Sequence, residues 1–515
     1  MVGNWTYFVE SDLSVLLPRP TNHLTPLPSG NTARALGSGA FPRGHPSRAA
    51  HISNLPPVSG YTSVTGDERR EMLDAIGVSS IEELFDVPAG VRLDRALDLP
   101  DGLSEAEVYE RMRSLASRNA DAESEVCFLG AGMYDHYGPA IVDAIISRSE
   151  FLTPYTPYQP EISQGGLQSM FEFQTAMTEL TGLPLSSAGL YEGPSTVAAA
   201  GYLAIGATKR RRFVVSAGLH PHSRETLRTY SEGYPAEVAE VPMDGGVTDL
   251  DALAAAVDDE TAAVIVQYPS FLGGVEDLER IAEIAHEAGA LLVASCDPIA
   301  LGILRTPGDC GVDIAVGEGQ PLGNRLDYGG PSFGFFCATE EQIRRMPGRI
   351  AGETVDVDGR RGFVLALQTR EQHIRREKAT HNICTAQALN ALGGMIYLSW
   401  LGRQGLVELG ELLVRRTDYA RRRLTAVEGI EALHDDPIVR EFAITFDAPV
   451  EEVLDYCAER GVAAGVPLGA EYGNGLLVAI TEQRTIEQID RLAKLLGEAV
   501  GQSAGSVREA AGATA

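Results

Sequence analysis

The chain has 515 residues, a formal net charge of −29 at pH 7 and 44% hydrophobic residues. It can therefore bury a large core and is two or three domains by size. A surface this acidic repels nucleic acid, and no apolar run reaches the length of a membrane span.

Of the 42 basic residues only Lys209, Lys378 and Lys494 are lysine. An acidic, lysine-poor surface fits a high-salt cytoplasm, as in halophilic archaea; the alternative is an acidic face for a basic partner. The N-terminus lacks a basic region followed by an apolar run, so no secretory signal is expected. The six cysteines form no close CxxC pair, and several lie in apolar strand-like runs, which implies reduced thiols in a cytosol.

Residues 1–60 carry scattered Gly, Ser, Pro and Arg without sustained apolar periodicity and are expected to be a disordered extension. A helical arm is expected over 61–125. Its helices are Gly66–Ile76, a short one capped by Ser79 or Ser80 with Glu82 and Glu83 in its first turn, and Glu105–Ala116. Such an arm suits a partner or an intramolecular clasp.

From Phe128 the chain becomes loop material. Pro154, Pro157 and Pro160 recur every third residue, which excludes an uninterrupted helix over Thr153–Gln159. Tyr155 and Tyr158 alternate with these prolines, and Tyr134, His136 and Tyr137 lie upstream. A stiffened, tyrosine-bearing loop offers rings and hydroxyls to a ligand at little entropic cost. At Gly166 the period turns to 3.6, and Gly182 is the expected stop.

The segment LYEGPSTVAAAGYLAIGAT reads as loop then helix, with Ser195 and Thr196 as caps and a start suited to a phosphate. Short apolar runs then alternate with helical windows. Strands are expected at Arg212–Ser216, Ala262–Tyr268, Leu291–Cys296, Val312–Val316 and Ser332–Ala338, with helices at Ser223–Tyr230 and Val275–Ala288. This is the pattern of a mostly parallel sheet covered on both faces. His220 and His222, with Pro221 between them, read as loop residues rather than a metal pair. RREKATHN over Arg375–Asn382 reads as helical and basic, and Ala388–Leu401 as a buried helix. Beyond Trp400 a smaller α+β region follows: helix Gly405–Ala426, strand Glu441–Phe446, helix Val450–Arg460, strand Leu476–Ile480 and helix Ile486–Val500. Residues 501–515 are expected to be a disordered tail. The divisions are then 1–60, 61–125, 126–400, 401–500 and 501–515.

Several words resemble one family in order: FLGAGMYDHYGPAI, PYTPYQPEISQG, VGEGQPLG, YGGPSFGFF and RMPGRIAGETVDVDGRRGFVLALQTREQHIRREKATHNICT. Together they resemble the glycine cleavage system P-protein, the pyridoxal-phosphate-dependent glycine decarboxylase, and in particular the subunit 1 of organisms that split it into two chains. The resemblance implies an α/β fold: a large domain of the PLP-dependent transferase type (aspartate aminotransferase-like, fold type I) with a mostly parallel sheet, plus the smaller C-terminal α+β domain. It also implies vestigial cofactor contacts at Ser195, Thr196 and Asp297, the last at a strand end where this fold holds the pyridinium nitrogen.

The expected Schiff-base lysine should then fall in VDIAVGEGQPLGNRLDYGGPSFGFF, which has Glu318, Gln320, Asn324 and Arg325 but no lysine. No lysine lies between Lys209 and Lys378, and none of the three suits a desolvated amine. The resemblance accordingly implies a lysine-free subunit of glycine dehydrogenase (aminomethyl-transferring), with pyridoxal phosphate held mainly by the partner subunit 2 in an α2β2 assembly. Glycine is decarboxylated and its aminomethyl group passes to the lipoyl arm of H-protein. Tyr134, Tyr155, Tyr158, Gln159 and His136 are the expected lining of that interface. A stand-alone PLP transaminase or lyase and a non-catalytic binding pseudoenzyme remain open at this point.

Overall fold

A computed structural model describes residues 63–93, 95, 97–100, 102–122, 124–379 and 386–512, with backbone alone for 89 and 503–512. The expected extension over 1–60 lies outside the described residues, as do Thr380, His381 and Asn382 of the basic run. The chain divides into two units, 1–103 and 104–515.

In the first unit, helix Gly66–Ile76 has the expected bounds because both ends are written locally. Thr65 and Glu68 cap each other's backbone N–H groups, and Gly77 stops the helix at φ 88°. It buries none of its own residues. The expected Ser79 or Ser80 cap is not formed. The chain makes one 3₁₀ turn, Glu82–Leu84, preceded by Ile81, and the Ser79 hydroxyl donates to Glu83.

The second unit is built on a seven-stranded sheet: β1 (Leu185–Ser186), β2 (Arg212–Ser216), β3 (Glu237–Val241), β4 (Thr261–Tyr268), β5 (Leu291–Cys296), β6 (Ile314–Glu318) and β7 (Gly334–Ala338), in the order β1-β7-β6-β5-β4-β2-β3. The middle ladders are parallel, and β7 runs antiparallel to both β6 and β1. Strand side chains alternate between faces. Val214, Val264, Val266 and Leu292 join one core with Phe173 and Met177 of helix Gln164–Thr181. Phe213, Val215, Ile265 and Val293 join another under helix Gly193–Thr208. That helix lies close to the sheet at Gly201, where a Cβ would come 2.9 Å from Leu227 and 3.1 Å from Phe213.

A ribbon, Ile350–Val355 paired with Arg361–Ala366, has no counterpart in the sequence reading. Its strands, IAGETV and RGFVLA, show no alternation of polar and apolar residues that would mark a half-buried ribbon. Helix Gln164–Thr181 holds it through side-chain amides. Gln174 exchanges hydrogen bonds of 2.8 and 3.0 Å with Ala351, and Gln164 does the same with Phe363 at 2.8 and 2.9 Å.

The smaller sheet orders Ile430–Ala432, Glu441–Phe446, Gly475–Ala479 and Val466–Pro467, all antiparallel, against helices Val450–Ala458 and Ile486–Gly512. The last helix continues past its expected stop at Val500, through part of the segment read as a tail. Ala388–Thr425 is helical except at Gly402 (φ 63°, ψ −179°), so the two expected helices are continuous apart from one break. The described part of the basic run, Arg375–Ala379, is not one helix. A single turn, Gln372–Arg375, is followed by a 3₁₀ turn, Arg376–Lys378, because Arg376 sits at φ 52°. Among the described residues no helix is long and apolar enough to cross a membrane.

The two sheets meet where Gly273 (φ 98°) passes strand Glu441–Phe446; a Cβ there would lie 2.0 Å from the Glu441 carbonyl oxygen. Gly273→Ala should combine backbone strain with a clash and lower unfolding stability by about 3 kcal/mol. Thermal denaturation checks this; a loss below about 0.5 kcal/mol, the range of an innocuous substitution, would show that the contact carries no weight.

Candidate functional site

In open α/β sheets ligands bind beyond the carboxyl ends of the strands. Here those ends open into a cleft of about 330 Å³. Strand β5 ends at Cys296, and Asp297 follows with its carboxylate at the cleft. Strand β6 ends at Glu318. The loop after β2 brings His220, and the loop after Phe128 brings Ala131 and Tyr134.

Asp297 receives the guanidinium of Arg440 at 2.9 Å and the Ile299 N–H at 2.9 Å. Arg440 is itself buried, with its Cζ 3.3 Å from the Tyr134 ring centroid. Its Nη1 donates to His136 Nε2 at 2.6 Å, which leaves His136 Nδ1 to donate to Glu482 at 2.6 Å. Because an arginine can only donate, the His136 tautomer follows from its partners. The Tyr134 hydroxyl donates to Glu441 Oε2 at 2.7 Å, and Ala131 N–H donates to Oε1 at 2.7 Å. Burial, opposed by those two bonds, pushes the Glu441 carboxyl up to about 7; burial and the neighbouring Glu441 carboxylate together push the Tyr134 hydroxyl well above its ordinary value.

Glu318 lies on the opposite wall. Its Oε2 accepts from Gly193 N–H, the first residue of helix Gly193–Thr208, at 3.0 Å, and its Oε1 accepts from Gln320 N–H at 2.9 Å. Burial raises its carboxyl, against the pull of those amides. Glu192, not Ser195 or Thr196, is the N-cap: its carboxylate accepts from Ser195 N–H at 3.2 Å. The hydroxyls of Ser195 and Thr196 turn back onto the carbonyls of Glu192 and Gly193, at 2.9 and 2.5 Å. The cap went unread because glutamate is an uncommon one beside serine.

His220 caps helix Pro221–Gly233. Its Nδ1 accepts from His222 N–H at 3.1 Å and its Nε2 donates to the Ala131 carbonyl at 2.7 Å. Burial lowers its pKa, and both ring nitrogens are already used. Gln320 exchanges hydrogen bonds with the Tyr134 backbone at 2.9 and 3.0 Å and so seats the loop.

The five expected interface residues divide. Tyr134 and His136 are inside this cleft's wall, with their polar atoms engaged within the chain. Tyr155, Tyr158 and Gln159 are on the surface. The Tyr158 hydroxyl donates to Glu371 at 3.0 Å and accepts from Arg349 at 3.1 Å, which joins the proline-rich loop to the segment around His373. Arg440, Glu441 and Glu482 were not singled out in the sequence. The only signal was a charged pair opening the apolar run REFAITF.

The sequence model of the glycine cleavage system P-protein family matches residues 60–496. The chain belongs to the glycine cleavage system P-protein family. It is 50% identical over 440 residues to a probable glycine dehydrogenase (decarboxylating) subunit 1 of Geotalea uraniireducens, covering 85% of this chain and 99% of that one. The protein of the same description in Bacillus velezensis is 48% identical over 442 residues, with 85% and 98% covered. A crystal structure of glycine decarboxylase (P-protein) of the glycine cleavage system, in inhibitor-bound form, superposes with a TM-score of 0.80 at 44% identity, covering 85% of this chain and 99% of that one. The sphingosine-1-phosphate lyase of Burkholderia pseudomallei shares the fold, with a TM-score of 0.61 at 17% identity over 82% of this chain and 96% of that one.

The fold of this P-protein family member is that of the pyridoxal-phosphate-dependent fold-type-I enzymes. Pyridoxal phosphate needs a carboxylate at its ring nitrogen, backbone N–H groups at its phosphate and a desolvated amine at its aldehyde. The residues present do not fit it. Asp297 is paired with Arg440, the Gly193 amide with Glu318, and no lysine lines the cleft. Lys209 donates to Gly206 O at the end of its helix, Lys494 pairs with Glu498, and Lys378 is exposed.

Glu441 makes a pH prediction. Its folded pKa is raised from 4.5 to about 7, so its contribution is fully present below the ordinary value and is lost as pH rises through about 7. The stability of Glu441→Gln relative to the unsubstituted chain should therefore rise between pH 5 and pH 8. Melting curves across that interval check it; a constant difference would mean the carboxyl titrates normally.

Proposed function

We propose that this chain is the lysine-free subunit of a two-chain glycine decarboxylase. One observation carries the reading. The chain spans 99% of a relative described as subunit 1, yet its own cleft has each expected anchor paired internally and no amine. Subunit 2 would then supply the lysine and most contacts to pyridoxal phosphate, which when bound provides the electron sink for decarboxylation. The aminomethyl group would pass to the lipoyl arm of H-protein, in an α2β2 assembly. The acidic, lysine-poor composition supports work in a salty cytoplasm.

In this reading Tyr155, Tyr158 and Gln159 face subunit 2 and narrow the lipoyl entry. They are exposed on a loop stiffened by Pro154, Pro157 and Pro160 and anchored through Tyr158 to Glu371 and Arg349. Exposed rings and hydroxyls on a rigid loop are suited to recognition. Helix Glu105–Ala116 supports a partner as well. Val108, Tyr109, Met112 and Leu115 form a stripe along it, every member exposed.

Expressed alone, the chain should show no exchange of labelled bicarbonate into glycine; mixed with a lysine-bearing subunit 2 it should show exchange. Exchange by the chain alone overturns the reading. In the reconstituted complex, Tyr155→Phe with Tyr158→Phe should lower exchange about tenfold, about 1.4 kcal/mol of transition-state stabilisation. An unchanged rate would remove these hydroxyls from the site.

A further inference from the structure

The cleft holds two charged side chains in unusual seats. The first is Glu318. The leading N–H groups of a helix have no partner within it and carry partial positive charge, so a helix start attracts an anion. At helix Gly193–Thr208 that anion is already present. The Glu318 carboxylate bridges Gly193 N–H and Gln320 N–H, and it is seated so closely that a Cβ on Gly193 would lie 3.0 Å from the Glu318 Cβ. Glu192 adds a second carboxylate on Ser195 N–H. Two carboxylates over one helix start leave it with net negative charge, and a further anion would be repelled.

The second is Arg440. A carboxylate at a strand end facing a cleft attracts a cation or a protonated heterocycle. At Asp297 that cation is a planar guanidinium, delivered from the smaller sheet and stacked on Tyr134. Its second nitrogen is fixed by His136, and His136 by Glu482. Arg440 thus fills a flat, cation-binding position with a flat cation.

We infer that Glu318 and Arg440 are built-in ligands of this cleft, an internal anion and an internal planar cation, so that the chain closes its own cofactor-shaped site and rejects phosphorylated heteroaromatic ligands. The absent lysine is then one of three changes rather than the sole one. Restoring an amine would not restore binding, because both non-covalent anchors are already occupied. The inference concerns the isolated chain, so it stands or falls separately from the assignment of a catalytic partner.

Pyridoxamine phosphate is the suitable probe. It carries the phosphate and the ring nitrogen but no aldehyde, so the missing lysine does not affect its binding. The full chain should bind it no better than inorganic phosphate of equal ionic strength. The Glu318→Ala, Arg440→Gln double variant should bind it at least about tenfold more tightly than the unsubstituted chain, read by the fluorescence of the pyridine ring; tenfold is about 1.4 kcal/mol. Inorganic phosphate should raise the melting temperature of Glu318→Ala by about 2 °C, and chloride of matched ionic strength should not. Glu318→Gln keeps the shape and removes the charge, and it decides the matter should the alanine variants fail to fold: phosphate should stabilise it and leave the unsubstituted chain unchanged. Equal binding of pyridoxamine phosphate by the unsubstituted chain and the double variant would overturn the inference. So would a glutamine variant no more responsive to phosphate than the unsubstituted chain.

Discussion

The ion pair between Arg440 and Asp297 is the constraint on which the rest of the large unit depends. A buried guanidinium is costly unless its charge and its donors are met. Arg440 meets the charge at the end of β5, two donors at Asp297 and His136, and the face of Tyr134. These contacts fix the first residues of strand Glu441–Phe446 against the carboxyl edge of the larger sheet. Arg484 repeats the arrangement nearby, meeting Asp135 at 2.7 Å from a side chain 5% exposed. The loop around Tyr134 is therefore held from both sheets at once. Removing either acid would leave a buried cation unpaired, which is far more destabilising than never having had the pair.

Fold and chemistry separate in this molecule. The fold is that of the pyridoxal-phosphate-dependent fold-type-I enzymes, and a fold alone does not fix what its strand ends and helix starts hold. In this chain the same positions hold internal partners. Glu318 occupies the helix start, Gln320 locks the Tyr134 backbone, and Asn324 donates to the Asn390 carbonyl at 3.2 Å. Glu318, Gln320 and Asn324, in the segment where a lysine is expected, thus have defined structural partners, while Arg325, Asp327 and Tyr328 further along it are exposed.

Much of this was legible in the sequence, for reasons that also explain the gaps. Strands Arg212–Ser216, Leu291–Cys296 and Glu441–Phe446 have the bounds read for them, because continuous apolar runs describe strands buried on both faces. The ribbon over 350–366 escaped because its partner is a helix whose glutamines replace the missing neighbouring strand, and amide side chains carry no periodic signal. Asp297 and the missing amine were visible as residue types. Arg440 was not, since a charged pair at a strand start ordinarily marks the solvated end of a strand. Its burial is decided by Asp297, 143 positions earlier in the chain, and no local pattern reports so distant a partner. The Glu192 cap failed the other way: serine and threonine offered a locally better candidate, and the close approach of Glu318 to Gly193 left them to bond their own turn.

Gly402 interrupts the long helix at the point where its load changes. The segment before it places Ala391, Leu392, Ile396 and Tyr397 in the core of the larger sheet. The segment after it begins in that same core, with Leu406, Leu409 and Leu413, and ends in the core of the smaller one, with Ala420 and Leu424. The later segment is thus a strut embedded at both ends, and the glycine is a joint on one side only. Hinged motion of the smaller sheet would have to drag a rigid beam out of one core or the other. The scaffold is here braced like a girder, and its two sheets can be expected to melt as one.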